Sequence, residues 1–284
     1  MYLCWRMKKI KIAILDLYEG QQNEGMRCIR EMLVRMNTDY NQALEWEEFE
    51  VRCKQELPSL EFDIYLSSGG PGSPLESEGM VWDNAYFKWL SDLVAWNNTA
   101  NNINKKYAFF ICHSYQLACR YFGLGHVTKR KSTAFGVFPL HRLEAGLDEP
   151  VFKGLSNPFY VVDSRDFQVI QPQLDRMQDI GAEMLCIEKE RPHVALERAI
   201  MAIRFNAYMV GTQFHPEADA QGMSMYLKRE DKKKTVIENH GQEKWESMIE
   251  QLNDPEKISM TNSHVLPNFI VQAIAKINNP NSLS

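Results

Sequence analysis

The chain has 284 residues, 44% hydrophobic and 24% charged, which suits one large globular α/β domain with a modest extension. Its 32 basic and 37 acidic side chains leave a net charge of -5, so the basic field that nucleic-acid binders rely on is missing. No apolar run has the length needed to cross a bilayer. Neither nucleic acid nor membrane is therefore expected as a partner.

The first residues, Met1-Tyr2-Leu3-Cys4-Trp5-Arg6, resemble a signal peptide only superficially. Asp16 interrupts the apolar run that follows, and no small-residue cleavage site comes after it. Met7-Lys8-Lys9-Ile10 reads better as a start just ahead of a first strand, so residues 1–7 are expected to be an extension. Six cysteines lie scattered at 4, 28, 53, 112, 119 and 186 with no CxxC pair. That spacing excludes zinc ribbons and thioredoxin motifs and predicts reduced thiols in a cytoplasm.

In chain order, Ile10 to Leu17 is nearly continuous in Ile, Ala and Leu and predicts a buried strand. Met26, Ile29, Met32, Leu33 and Met36 have helical spacing. Short strands are predicted at Phe49–Val51 and Asp63–Leu66, the second running into Ser67-Ser68-Gly69-Gly70-Pro71-Gly72. Trp82, Ala85, Tyr86, Trp89, Leu90, Leu93 and Val94 trace one helix face. Tyr107–Ile111 predicts another buried strand, followed by a helix over 114–122 that stops at Gly123. Such alternation predicts a three-layer α/β fold, a mostly parallel central sheet flanked by helices.

Beyond residue 126 the pattern changes to β-like runs at Thr133–Pro139, Phe159–Val162, Phe167–Ile170 and Glu183–Ile187, read as antiparallel strands on the rim. Asn206 to Phe214 reads as a return to a core strand. Past residue 220 the chain turns polar and helical, ending in an amphipathic helix that carries Val265, Phe269, Ile270, Ile274 and Ile277. The run Lys228 to Lys234 reads as a solvated face.

Three segments carry chemistry. Cys112 stands where a strand becomes a helix, a placement that exposes a thiol near a helix N-terminus, whose dipole favours thiolate. His215-Pro216-Glu217, after a second apolar run, offers a base and a carboxylate to orient it. The glycine turn at 69–72 lacks the Gly-Lys-Ser/Thr of a phosphate loop and reads as a tight turn able to aim an N–H at an oxyanion. No second His or Cys lies at ligand spacing from His215, so neither metal nor cofactor is expected.

Together the Gly69-Gly70-Pro71-Gly72 turn, the elbow around Cys112 and Gln213-Phe214-His215-Pro216-Glu217 resemble the class I, or triad, glutamine amidotransferases, nearest in style to the amidotransferase domain of GMP synthase. The resemblance covers residues 8–219 and leaves 220–284 as a helical C-terminal extension. It implies a flavodoxin-like fold and hydrolysis of the glutamine side-chain amide by Cys112, His215 and Glu217 through a glutamyl thioester. It also implies backbone oxyanion donors at Gly70 and His113, and substrate contacts at Gly72, Gln116, Asp166 and Phe167.

Two positions depart from the family pattern: Phe110 and Ser114 stand where it has glycines beside the nucleophile. Such families hand ammonia to a synthetase or another accepting subunit, and residues 220–284 contain no phosphate loop of their own. A stand-alone γ-glutamyl hydrolase and a catalytically silent binding module stay open beside the glutaminase reading. A homoserine acyltransferase is disfavoured by the glycine turn and the Gln-Phe-His-Pro-Glu context.

Overall fold

The computed structural model describes residues 9–40, 43–99, 102–190, 196–252, 254 and 257–280. The expected 1–7 extension lies outside them.

Strand β1 (Ile10–Asp16) is buried on both faces except at Lys11 and Asp16, as an inner strand of a parallel sheet must be. Helix α1 (Glu24–Asp39) starts on Asn23, whose side chain accepts the Met26 N–H, and buries the predicted methionine–isoleucine stripe. Strand β2 spans Leu44–Glu50, five residues earlier than the apolar run Phe49–Val51 suggests. It pairs only with β1 and ends the sheet, so its glutamates reach solvent and hide it from an apolar-run reading. Next come β3 (Ile64–Ser67), α2 (Val81–Asn98), β4 (Tyr107–Ile111) and α3 (His113–Phe122), which closes on Gly123 in the left-handed conformation.

Strand β5 (His126–Arg142) leads through α4 (Glu144–Leu147) to β6 (Phe159–Ile170), then α5 (Leu174–Ile180) and β7 (Glu183–Ile187). The two runs expected at 159–162 and 167–170 are one strand, paired with β5 across a bulge between Lys129 and Ala134. Its polar middle is tolerated because buried Arg165 pairs with Asp163 at 2.8 Å. The core strand expected over 206–214 is instead a hairpin, β8 (Ile200–Asn206) and β9 (Met209–Thr212), its turn held by the Asn206 side chain accepting the Tyr208 N–H. Helices α6 (Ala220–Lys228), α7 (Glu230–His240), α8 (Gln242–Leu252) and α9 (Ile258–Asn278) complete the chain.

The nine strands of the described residues form one mixed sheet ordered β2-β1-β3-β4-β9-β8-β7-β5-β6. Its β2-β1-β3-β4-β9 half is parallel, and the remaining pairings are antiparallel. One face is covered by α1 and α9, the other by α2 and α3. Val265, Leu266, Phe269, Ile270, Ala273 and Ile274 of α9 belong to the main core, with Phe269 edge-on to Phe109 of β4. Helices α6 to α8 make a smaller cluster on Val137 and Val162 of the β5–β6 hairpin. Among the described residues no helix is long and apolar enough to cross a membrane.

Candidate active site

The parallel strands β1, β3, β4 and β9 end together, and each delivers one part of the site from its C-terminal end. Cys112 follows β4 with φ 48° and ψ -97°, a strained turn for a residue with a Cβ, and caps the N-terminus of α3. Its N–H is held by the Thr212 carbonyl at 2.7 Å, tying the elbow to β9.

The two departures from the elbow glycines are both accommodated. Phe110 pairs in register with Gly211 of β9, and its ring packs edge-on to Phe205. A Cβ on Gly211 would lie 3.0 Å from the Phe110 carbonyl oxygen and 3.1 Å from Phe110 Cβ. The small residue the elbow lacks is thus supplied by the neighbouring strand. Gly211→Val is expected to cost about 2–3 kcal/mol by overpacking this pair, checked by urea denaturation. Ser114 closes the other side: its hydroxyl accepts from the Ile111 N–H and donates to the Ser67 carbonyl, both at 2.8 Å.

His215 is carried past β9 and held by its own N–H, which donates to the Val162 carbonyl of β6 at 2.9 Å. Its Nδ1 lies 2.8 Å from Glu217 Oε1, and the ring stands near Cys112, both of them lying against Gly69. Burial works against a charged imidazole here. The Glu217 carboxylate and the Cys112 sulfur nonetheless hold its pKa well above the ordinary histidine value. Glu217 is itself 2% exposed, and the segment that carries it is held from two helices. Asn262 of α9 donates to the Glu217 carbonyl at 2.7 Å, and Arg27 of α1 pairs with Asp219 at 2.8 Å.

The turn after β3 lies over this pair. A Cβ on Gly69 would stand 2.9 Å from His215 Cε1 and 3.6 Å from Cys112 Cβ, so only glycine lets the strand end approach so closely. The N–H groups of Gly70 and His113 have no acceptor among the described residues, which leaves both available to an oxyanion. Gly72, at φ 84°, lies under the Arg52 guanidinium.

The other expected contacts divide. Gln116 is buried and donates to Gln213 Oε1 at 3.1 Å, while Gln213 Nε2 reaches Cys112 Sγ at 3.7 Å. On β6 the group brought to the thiol is the Ser164 carbonyl, 3.8 Å from Sγ. Asp166 is exposed and accepts from Thr133, and Phe167 is half-buried opposite Lys129.

Tyr18, Ser68, Arg52 and Gln213 also reach the site, and sequence reasoning misses them as functional residues. Gln213 stands inside the Gln-Phe-His-Pro-Glu motif, but Arg52 and Tyr18 carry no local signal. The Tyr18 phenol is raised well above its usual pKa, first by burial and then by Glu217 and Cys112. Burial likewise pushes the Cys28 thiol up to about 12 and raises those of Cys119 and Cys186, which keeps them unreactive.

His113, 2% exposed beside Cys112, has its pKa lowered to about 3 by burial and by the charges of Arg52 and Arg120. In the unfolded chain it takes a proton near pH 6.5. The unfolded state therefore binds more protons between those values, and stability falls as pH drops from about 6.5 towards 3. By pH 4.5 the loss from this residue is roughly 2–3 kcal/mol. His113→Phe is expected to lack that part of the acid slope, measured as the difference in unfolding free energy between pH 7 and pH 4.5.

A cysteine at a strand-to-helix elbow, a histidine–carboxylate pair and a glycine turn thus meet at the C-terminal ends of parallel strands in an α/β sheet. The sequence pattern of the family Glutamine amidotransferase class-I matches residues 13–234, and the chain belongs to that family. Among solved structures it resembles a glutamine amidotransferase from Thermotoga maritima, at TM-score 0.66 and 13% identity over 93% of this chain and 98% of that one. The glutaminase domain of CTPS from Trypanosoma brucei, with bound acivicin, matches at TM-score 0.56 and 13% identity, covering 94% of each chain. A candidate GMP synthase subunit from Thermoplasma acidophilum matches at TM-score 0.51 and 17% identity over 77% of this chain and 90% of that one. Among curated proteins none matches.

Proposed function

We propose that the chain hydrolyses the side-chain amide of glutamine with Cys112 as nucleophile. The carrying observation is the imidazole of His215 set between the Glu217 carboxylate at 2.8 Å and the Cys112 thiol, with its pKa raised by both. The Cys112 thiolate attacks the amide carbon, and the carbonyl electrons move to oxygen, which the Gly70 and His113 N–H groups receive. His215 gives its proton to the departing ammonia, leaving a glutamyl thioester. Water, deprotonated by His215, then releases glutamate and restores the thiol. The Gly72 backbone, Gln116 and the β6 backbone around Asp166 and Phe167 grip the rest of the substrate.

The ammonia goes to a synthetase or other accepting partner. The likeness to a candidate GMP synthase subunit supports a GMP synthase-like role. Residues 220–284 serve the fold rather than a second chemistry, which the burial of α9 in the main core supports. The chain works in the cytoplasm, a reading supported by five unbridged cysteines among the described residues.

The test is reaction with a diazo-ketone glutamine analogue followed by peptide mass mapping. Adduct on Cys112, absent in Cys112→Ala and prevented by glutamine, is the expected result. Adduct that glutamine does not prevent would replace glutamine by another γ-glutamyl or acyl substrate. An intact fold with no adduct would favour a silent site.

A further inference from the structure

We infer that Ser68 is a positioning residue that fixes the rotation of the peptide presenting the Gly70 N–H. This rests on the oxyanion role given above to that N–H. Ser68 is 1% exposed, and its hydroxyl bridges two main-chain groups. It accepts from the Leu17 N–H at 3.0 Å and donates to the Gly69 carbonyl at 2.8 Å. The Gly69 carbonyl and the Gly70 N–H are the two ends of one planar peptide, so holding the carbonyl back towards β1 points the N–H the opposite way.

A Gly-Gly peptide otherwise rotates at little cost, because neither flanking residue has a Cβ to resist it. The rest of the turn is held independently. Arg52 donates to the Pro71 carbonyl at 2.6 Å and the Leu17 carbonyl at 3.3 Å, is paired with Glu19 at 2.6 Å, and lies over the Trp82 ring. Loss of the Ser68 hydroxyl therefore frees one peptide and leaves the turn in place. Buried Ser68 Oγ also relays polarisation from Leu17 through Gly69 to the oxyanion donor.

The experiment compares two reactions of Cys112, each followed on its own peptide because Cys53 is exposed. Acylation by p-nitrophenyl acetate forms the sulfur–carbon bond through a tetrahedral oxyanion and expels p-nitrophenolate as the carbon–oxygen bond breaks. Alkylation by iodoacetamide displaces iodide and forms no oxyanion. In Ser68→Ala the ratio of acylation to alkylation rate is expected to fall about tenfold to hundredfold, with alkylation within about twofold of wild type. Ser68→Thr restores the ratio, and Ser68→Cys, a weaker donor, lies between and serves if the alanine variant does not fold.

An unchanged ratio in a folded variant, or acylation and alkylation falling together, would overturn the inference. So would a wild-type Cys112 that is alkylated but never acylated. Since neither reagent is a γ-glutamyl compound, failure of glutamine turnover with the ratio effect intact would count against the substrate alone.

Discussion

Glu217→Gln is expected to lower glutamine turnover on the order of 10³–10⁴-fold, with the fold retained, because a neutral partner no longer orients the histidine. The carboxylate accepts from His215 Nδ1 at 2.8 Å, and together with Cys112 it raises the ring's pKa against the cost of burial. An amide of the same shape can turn its NH2 towards Nδ1, which leaves the other ring nitrogen protonated and unable to serve as base. Ammonia release from glutamine gives the rate, and a thermal melt checks the fold. A variant within tenfold of wild type would remove Glu217 from the triad.

The same substitution carries a pH signature. A histidine whose folded pKa is raised contributes stability fully present below its unfolded pKa, near 6.5, and loses it as pH rises through the folded value. Wild type is therefore expected to lose stability above neutrality through His215, and Glu217→Gln to lose less over that range. Urea denaturation at pH 6 and pH 9 measures it.

Gly70→Ala is expected to reduce kcat about 10²–10³-fold, the effect of removing one oxyanion donor, with KM little changed. The added Cβ would fall 2.5 Å from the Leu17 carbonyl oxygen and 3.1 Å from its carbon, both main-chain atoms that cannot step aside. The turn must move away from β1 and carry the N–H with it, at a further cost of about 1–3 kcal/mol in stability. Gly72→Ala is the internal comparison. Its nearest neighbour would be Arg52 Nη2 at 3.4 Å, so the penalty is the left-handed backbone alone, φ 84°, and about 1–2 kcal/mol. Steady-state kinetics on the two variants separate a lost donor from a strained turn. Equal kcat in Gly70→Ala and wild type would move the oxyanion away from this peptide.

The strands that position the site were legible wherever both faces are buried. Ile10–Asp16, Ile64–Ser67 and Tyr107–Ile111 carry enough apolar side chains to announce themselves. Edge and hairpin strands were not. β2 hides its glutamates in solvent, β6 buries Asp163 and Arg165 against each other, and the β8–β9 turn sits inside one apolar stretch. Alternation reports burial rather than hydrogen bonding, so it misses a strand whose polar residues find partners.

The sequence by itself determined the class of the chain and nominated Cys112, His215 and Glu217 as its triad, because these residues and the glycine turn are spelled in short local motifs. Only the tertiary structure decided how the elbow tolerates Phe110, which needs Gly211 on another strand about a hundred residues away. It also decided what holds the site in place: Arg52 on the glycine turn, Gln213 on the thiol, and Asn262 of the last helix on the carbonyl of Glu217. These supports act through space between segments distant in the chain. Their residue types are ordinary, and their meaning lies in distance and direction, which no local spacing records.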